Sequence, residues 1–210
     1  MEPWLAAVLP DRGQRALELG CGSGRQAVTL AERFGQVDAI DLSGAMIELA
    51  RARRSRPNIS YRQADLLELD GGGYDFILSV LTLHHVPDLH AALRHIKGLL
   101  APGGRVALVD IYPARPRAVP RLKLQANEVR LLGLNLFRRG PTAAWEIYRL
   151  SNGAWLDHRV SDRFFSRAEL EESCGALFPG AQLQRVSGPR GVAVTWDAPL
   201  LPTGREKRVR

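Results

Sequence analysis

Short apolar runs alternate with segments of helical periodicity along the first half of the chain. The runs predicted as strands are Arg15–Leu19, Val37–Asp41, Ile59–Gln63, Tyr74–Leu81 and Arg105–Ile111. The first segment predicted as a helix is Arg25–Phe34. The second begins after the cap residue Ser43 and ends in the basic run Arg51–Arg56, and the third runs from the cap residue Asp88 to Leu99. Strands that alternate with helices through short loops predict an α/β fold with a doubly wound parallel sheet.

The pattern changes after residue 111. Three prolines interrupt the chain, and apolar residues then keep helical spacing from Leu122 to about Phe137. We expect residues 112–165 to form a helical cap inserted after the fifth strand, with apolar and aromatic side chains that line a closed acceptor pocket. These side chains are Leu122, Val129, Leu132, Phe137, Trp145 and Tyr148.

The last part of the chain returns to the core pattern. Ser166 and Glu169 form a capping box that predicts a helix to about Leu177. Two strand-like segments follow, Ala181–Ser187 and Val192–Trp196, and the tight turn between them predicts antiparallel pairing. The prediction is therefore a single domain with a seven-stranded, mostly parallel sheet whose last strand is antiparallel. Its parts are a core of residues 1–111 and 166–197, the cap of residues 112–165, and a basic tail of residues 203–210.

The glycine-rich turn after the first strand is the most informative stretch. From Glu18 to Gly24 it reads E-L-G-C-G-S-G, so the glycines have G-x-G-x-G spacing instead of the G-x-G-x-x-G of dinucleotide sites. A carboxylate at Glu18 would repel a pyrophosphate but would attract a cation. By itself, the stretch is also compatible with a tight turn that binds no ligand.

Further polar residues follow the predicted strands at their carboxyl ends, which meet at one edge of a parallel sheet. Asp41 ends the second strand, Asp65 follows the third, and Ser79 and His84 lie at the end of the fourth. An acid at the end of the second strand can accept hydrogen bonds from the vicinal hydroxyls of a ribose. The alternative for Asp41 and for Asp65 is an exposed turn acid.

Five motifs in this order resemble those of the class I S-adenosylmethionine (SAM) dependent methyltransferases that act on small molecules. They are Glu18–Gly24, Asp41, Gln63–Leu66, the strand Tyr74–Ser79 with the following Leu83–Asp88, and Leu100–Arg105. The resemblance covers residues 15–111 and, more weakly, residues 166–197. It implies the Rossmann-like methyltransferase fold, SAM as cofactor, S-adenosylhomocysteine (SAH) as product, and no metal.

The same resemblance suggests roles for individual residues. It assigns Asp41 to the ribose hydroxyls, Asp65 to the adenine amino group and the Leu66 N–H to an adenine ring nitrogen. The candidate cofactor-binding residues are Glu18, Gly20, Cys21, Gly22, Gly24, Asp41, Leu42, Met46, Ala64, Asp65, Leu66, Ser79, Val80 and His84. His84 and His158 are the candidate general bases, because a neutral hydroxyl or amine acceptor must lose a proton. For His158, the alternative is a surface or packing residue.

Composition limits the partners and the location. The 210 residues carry a formal net charge of +7, but only three of the 29 basic residues are lysines, a bias typical of a GC-rich genome. No apolar run reaches the roughly 18 residues of a membrane span, and the N-terminus does not resemble a secretory signal. The two cysteines form no disulfide framework. We therefore expect a cytoplasmic protein, monomeric or homodimeric, without a membrane span.

The function that these observations favour is methyl transfer from SAM to an oxygen, nitrogen or carbon of a small molecule, such as a natural product or a quinone-like compound. Two alternatives stay open. The charge and the run Arg51–Arg56 suggest an RNA or protein methyltransferase, although a nucleic-acid partner is disfavoured. The second alternative is a SAM-binding enzyme with the same fold that transfers no methyl group.

Overall fold

The computed structural model describes residues 2–111, 121–142, 144–145, 148, 165–186 and 191–200. The helices are α1 (Glu2–Val8), α2 (Arg25–Ala31), α3 (Gly44–Arg54), α4 (Leu89–Leu99), α5 (Arg121–Arg139) and α6 (Arg167–Leu177). The strands are β1 (Gly13–Leu19), β2 (Phe34–Asp41), β3 (Ile59–Gln63), β4 (Tyr74–Val80), β5 (Leu100–Ile111), β6 (Gln182–Arg185) and β7 (Gly191–Asp197). Two short 3-10 turns, Leu66–Glu68 and Leu83–His85, follow β3 and β4.

The seven strands form one sheet in the order β3-β2-β1-β4-β5-β7-β6. Strands β1 to β5 are parallel, and β7 lies antiparallel between β5 and β6. This arrangement confirms the predicted doubly wound sheet. The order reverses between β1 and β4, and ligands of such sheets bind beyond the carboxyl ends of the strands at that point.

Helices cover both faces of the sheet, because successive strand residues point to opposite sides. In β1, Leu17 packs with Leu93 of α4 and with Leu170 of α6 in the core on one face. Ala16 belongs to the core on the other face, together with Ala27 of α2. Burial on both faces explains why β4 reads as a nearly continuous apolar run.

Three helix starts agree with the sequence, since each depends on residues only three positions apart. Ser43 accepts a hydrogen bond from the Met46 N–H at 3.4 Å, and Asp88 accepts one from Ala91 at 2.9 Å. Ser166 forms the complete capping box with Glu169. Such caps each contribute about 1 kcal/mol to helix stability.

Two of the boundaries that differ from the prediction involve contacts with β4. Helix α2 ends at Ala31, and Phe34 begins β2 instead of ending the helix. Phe34 is buried, and its ring stacks on Phe76 of β4 with centroids 5.7 Å apart. Strand β5 begins at Leu100, where it pairs with Tyr74, and not at residue 105. At both boundaries, an apolar side chain is compatible with more than one pattern of hydrophobic positions, and the contact with β4 determines where the strand begins.

The described part of the predicted cap differs from the expected closed pocket. Helix α5 is present, but Val129 and Phe137 are exposed, the latter at 93 % of its surface, and so is Trp145. These three side chains therefore do not line an enclosed cavity. Residues 112–120, 143, 146–147, 149–164 and 201–210, which include about half of the predicted cap and the whole basic tail, lie outside the described residues.

Within the ranges that the structure describes, no helix combines the length and the apolar character needed to cross a membrane.

Candidate functional site

The glycine-rich turn between β1 and α2 forms a cradle at the carboxyl edge of the sheet. Gly20, Gly22 and Gly24 have φ angles of +66°, +50° and +79°, which glycine adopts far more readily than other residues. A Cβ atom at Gly20 would collide with the Thr82 side chain, and one at Gly24 would collide with Tyr61. A Cβ at Gly22 would meet no atom within 4 Å. Gly20 and Gly24 therefore serve packing, whereas Gly22 borders open space where a ligand can approach the backbone.

Hydrogen bonds hold this cradle to three neighbouring elements. The Cys21 N–H donates to the Ile40 carbonyl of β2 at 2.8 Å. The Thr82 hydroxyl donates to the Leu19 carbonyl at 3.1 Å, which links the end of β1 to the end of β4. Arg54 of α3 donates to the Ser23 carbonyl at 2.8 Å. The turn is thus preorganised by β2, β4 and α3.

Asp41 is the central acid of the site. Its Oδ2 accepts from the Gly22 N–H and its Oδ1 from the Ser43 N–H, both at 2.8 Å. Because each carboxylate oxygen can accept a second hydrogen bond, Asp41 can still receive two hydroxyl groups. Two apolar neighbours on the following segment are exposed, Leu42 at 70 % and Met46 at 36 %. This combination fits a ribose next to an apolar surface.

Asp65 lies beside Asp41, as the sequence predicted. The Ala64 N–H donates to the Asp41 carbonyl at 3.1 Å, which joins the ends of β2 and β3. Asp65 Oδ1 accepts from the Leu67 N–H at 2.9 Å and opens the 3-10 turn that begins at Leu66. The carboxylate retains lone pairs that can accept from an amino group.

Glu18 lies at the end of β1 and is buried, with 2 % of its surface exposed. Burial raises the pKa of its carboxyl group to about 8, and the nearby Asp41 charge acts in the same direction. Its Oε2 atom is buried and has no hydrogen-bond partner among the described residues. A backbone hydrogen bond from Ala27 acts in the opposite direction without cancelling the effect of burial. A carboxyl group this deeply buried is costly when ionised, so it favours a cationic ligand.

Cys21 belongs to the same turn, and its side chain is buried. Burial is the main cause that raises the pKa of its thiol, and the nearby Glu18 and Asp41 add to the effect. The thiol is therefore neutral and unsuited to act as a nucleophile.

His84 belongs to the 3-10 turn after β4 and is paired with Asp110 at the end of β5. Its Nδ1 atom lies 2.7 Å from Asp110 Oδ1, and its backbone N–H donates to Asp110 Oδ2 at 3.2 Å. Both residues are buried, with 7 % and 3 % of their surfaces exposed. The ring of His85 lies 3.9 Å from that of His84.

The end of β4 also holds the other predicted residues of this strand. Ser79 is fully buried, and its hydroxyl has no hydrogen-bond partner in the part of the chain that is described. Val80 is the last residue of β4, and Leu81 follows with a φ angle of +56° and an exposed side chain. A left-handed backbone at a non-glycine residue is strained, and such residues concentrate at functional sites.

The structure thus brings Glu18, the glycine cradle, Asp41, Asp65 and His84 to one edge of the sheet. His158, the second candidate base, lies outside the described residues. Sequence reasoning missed Thr82 and Tyr61, for which the sequence offers no local signal. It also missed Asp110, although an acid inside the apolar run of β5 was a usable signal.

Two arginines of the basic run have structural contacts. Arg51 donates to the Tyr61 carbonyl and Arg54 to the Ser23 carbonyl, so both fasten α3 to the site. This weakens the interpretation of the run as a surface for polyanions. The described residues contain no group of three or more His, Cys, Asp or Glu side chains arranged to hold a metal ion.

Known proteins resemble this chain in sequence and in fold. Residues 17–108 match the family described as "Methyltransferase domain". An uncharacterized methyltransferase of Mycobacterium bovis is 31 % identical over 204 residues, covering 93 % of this chain and 93 % of that protein. A ubiquinone biosynthesis O-methyltransferase of Xanthomonas axonopodis pv. citri is 34 % identical over 110 residues, which cover 50 % of this chain and 46 % of that protein.

A solved structure extends the similarity over nearly the whole chain. The DhpI–SAH complex superposes with a TM-score of 0.61 at 23 % identity, covering 94 % of this chain and 87 % of that chain. At this identity, the comparison establishes the shared fold. The fold, including its antiparallel last strands, is the one that the sequence predicted.

The buried carboxyl of Glu18 predicts a pH-dependent stability of the ligand-free protein. Below pH 4.5, the ordinary pKa, the group is neutral in the folded and the unfolded chain alike. As the pH rises to about 8, the unfolded chain ionises first. The free energy of unfolding of the wild type should therefore fall, relative to Glu18→Gln, by on the order of a few kcal/mol. Urea titrations of both proteins at several pH values measure this difference, and parallel curves across the window would contradict it.

The different surroundings of the glycines predict different defects. Gly22→Ala should fold with a loss of about 1–2 kcal/mol from its left-handed backbone, but its methyl group should reduce SAH affinity at least about 10-fold. Gly20→Ala should lose more stability, because its methyl group also collides with Thr82. Thermal unfolding and calorimetry with SAH separate the two effects. Unchanged SAH affinity in a folded Gly22→Ala protein would mean that this open space does not hold the ligand.

Proposed function

This chain belongs to the class I SAM-dependent methyltransferases and is an enzyme, and on that premise we propose that it transfers the methyl group of SAM to a small-molecule acceptor. The observation that carries the proposal is the set of acids at consecutive strand ends around the open side of Gly22. Glu18, Asp41 and Asp65 come from β1, β2 and the segment after β3.

The residues at this edge fit SAM better than a dinucleotide. SAM carries a sulfonium and an ammonium group and no phosphate, so a buried carboxyl with an unpartnered oxygen at Glu18 suits its positive charge. A pyrophosphate would instead meet the carboxyl groups of Glu18 and Asp41 close to the glycine cradle. When bound, SAM supplies the methyl group as an electrophile.

We assign the cofactor contacts residue by residue. Asp41 accepts from the two ribose hydroxyls while its other lone pairs hold Gly22 and Ser43. Asp65 accepts from the adenine amino group, and the Leu66 N–H donates to the ring. The exposed Leu42 and Met46 side chains cover the apolar faces of the nucleoside. The protein's contribution is mainly proximity and alignment.

A small-molecule acceptor is supported by two observations. The Xanthomonas relative is named for ubiquinone biosynthesis, and ubiquinone precursors are small molecules. Arg51 and Arg54, which suggested a polyanionic partner, are engaged with backbone carbonyls. We propose that residues 112–165 shape the acceptor site, since this segment leaves β5 at the edge that holds the proposed cofactor site.

A general base completes the proposed reaction for a hydroxyl or amine acceptor. His84 is the first candidate, because it lies at the end of β4 beside the turn that Thr82 ties to β1. His158 stays the second candidate on sequence grounds. Proton abstraction by such a base typically accelerates a reaction about 10²- to 10⁴-fold.

The test uses SAM labelled with tritium in its methyl group and a panel of phenols, carboxylic acids and amines. We expect label in an organic product, together with an equal amount of SAH. Transfer to bulk tRNA or to protein, with none to the panel, would replace the small-molecule assignment. A gel shift with tRNA near 150 mM salt that disappears at higher salt would point the same way.

The two acids of β2 provide a matched test of the ribose assignment. Asp41→Ala should weaken SAH binding about 10-fold or more, since it removes a charged acceptor for two hydroxyls. Asp38→Ala should leave SAH affinity within about 3-fold, because Asp38 instead accepts from the Tyr74 hydroxyl at 2.8 Å and pairs with Arg15 at 3.1 Å. The Asp38→Ala substitution should instead lower the melting temperature, because it removes these two contacts.

Calorimetric titration of both variants with SAH measures this contrast. Because Asp41 also anchors Gly22 and Ser43 through its two different oxygens, Asp41→Asn serves as the control that keeps one of these two acceptor oxygens and removes the charge. Equal dissociation constants for the two alanine variants would show that the ribose lies elsewhere.

A further inference from the structure

We propose that Asp110 is a positioning residue that holds His84 in the tautomer with its hydrogen on Nδ1, so that Nε2 receives the proton of the acceptor. The inference rests on the proposed function, since it concerns the base of the same site. It adds a residue from β5 for which the sequence motifs indicated no role.

The geometry of Asp110 carries the inference. One carboxylate oxygen lies 2.7 Å from His84 Nδ1, and the other accepts from the His84 backbone N–H at 3.2 Å. The carboxylate therefore binds both the ring and the main chain of His84. Oδ1 also accepts from the Ile111 N–H at 2.7 Å, which orients the carboxylate itself.

The tautomer follows from the chemistry of the pair. A carboxylate accepts hydrogen bonds, so the Nδ1 atom that faces Asp110 Oδ1 must be the donor. In a neutral imidazole, the lone pair that takes up a proton is then on Nε2. Because the pair is buried, water competes little for these groups, and the orientation of the ring is strongly defined.

The position of the pair connects it to the cofactor edge. Val80 at the end of β4 pairs with Val109 of β5. His84, just after β4, and Asp110, one residue before the end of β5, therefore lie at the carboxyl ends of two adjacent strands. Thr82, two residues before His84, is bonded to the Leu19 carbonyl at the start of the glycine cradle. The pair and the cradle are thus held by one short segment.

For a hydroxyl acceptor, a lone pair of the acceptor oxygen forms the bond to the methyl carbon, and the carbon–sulfur bond breaks with its pair left on sulfur. The O–H bond breaks with its pair left on oxygen. The proton moves to His84 Nε2, which creates an imidazolium. Asp110 faces that cation through Nδ1 and stabilises it.

A purely structural clamp would show the same contacts, so the test must read the tautomer. We would label histidine with nitrogen-15 and record imidazole spectra of the ligand-free protein and of its SAH complex. The wild type should show the neutral His84 ring protonated on Nδ1 and not on Nε2. The His84 signals must be distinguished from those of His85, whose ring centroid lies 3.9 Å from that of His84. A wild-type His84 protonated on Nε2 would overturn the proposal without any variant.

Asp110→Asn is the informative substitution, because an amide can donate to Nδ1 and thereby move the ring hydrogen to Nε2. We expect this shift of tautomer, with SAH affinity within about 3-fold of the wild type. Asp88→Asn is the matched control. It changes an exposed acid four positions from His84 whose role is to cap α4, and asparagine caps equally well.

Kinetics with the best acceptor of the panel complete the test. Asp110→Asn should lower kcat about 10²-fold with little change in the KM for SAM, and the acidic limb of the kcat profile should disappear. Adding it to His84→Ala should lower kcat no further. A normal tautomer, or a kcat within about 3-fold of the wild type, would overturn the proposal. If no acceptor is turned over, the proposed function fails, while the tautomer comparison still decides what Asp110 does.

Discussion

The rest of the site depends on the hydrogen bonds that the Asp41 carboxylate accepts. This carboxylate holds the Gly22 N–H of the glycine cradle and the Ser43 N–H at the start of α3, each at 2.8 Å. The cradle consists of backbone angles that an unconstrained chain would not keep. Because one side chain fixes both neighbours, the open face of Gly22 and the start of α3 are set before a ligand arrives, which reduces the ordering that binding must provide.

The site also contains a buried carboxyl group whose ionisation destabilises the ligand-free protein. Glu18 is buried with its Oε2 unpartnered among the described residues, and its carboxyl has a pKa near 8. A core on both faces of the sheet supplies the stability that tolerates this group. A cationic ligand would relieve the cost, so the same residue that weakens the ligand-free protein strengthens the complex. This exchange of stability for affinity is common at functional sites.

Strand β4 and the turn after it connect the proposed cofactor site to the proposed general base. Thr82 reaches back to the end of β1, while His84 reaches across to Asp110 at the end of β5. Leu81 between them has a strained backbone and an exposed side chain. A displacement of this turn would therefore disturb the glycine cradle and the proposed base together. Because the segment is short and fastened at both ends, it would couple the proposed cofactor binding to the proposed proton transfer.

The sequence by itself determined the strand–helix alternation, the caps Ser43, Asp88 and Ser166, and the acids at the strand ends, because each is encoded by residues close together in the chain. Only the tertiary structure decided that Thr82 fills the space beside Gly20, that Asp110 meets His84, and that Phe34 begins a strand. These outcomes depend on contacts between strands that are distant in sequence, such as Phe34 with Phe76. It also decided that Phe137 in α5 is exposed, because helical periodicity defines a face but not what covers it.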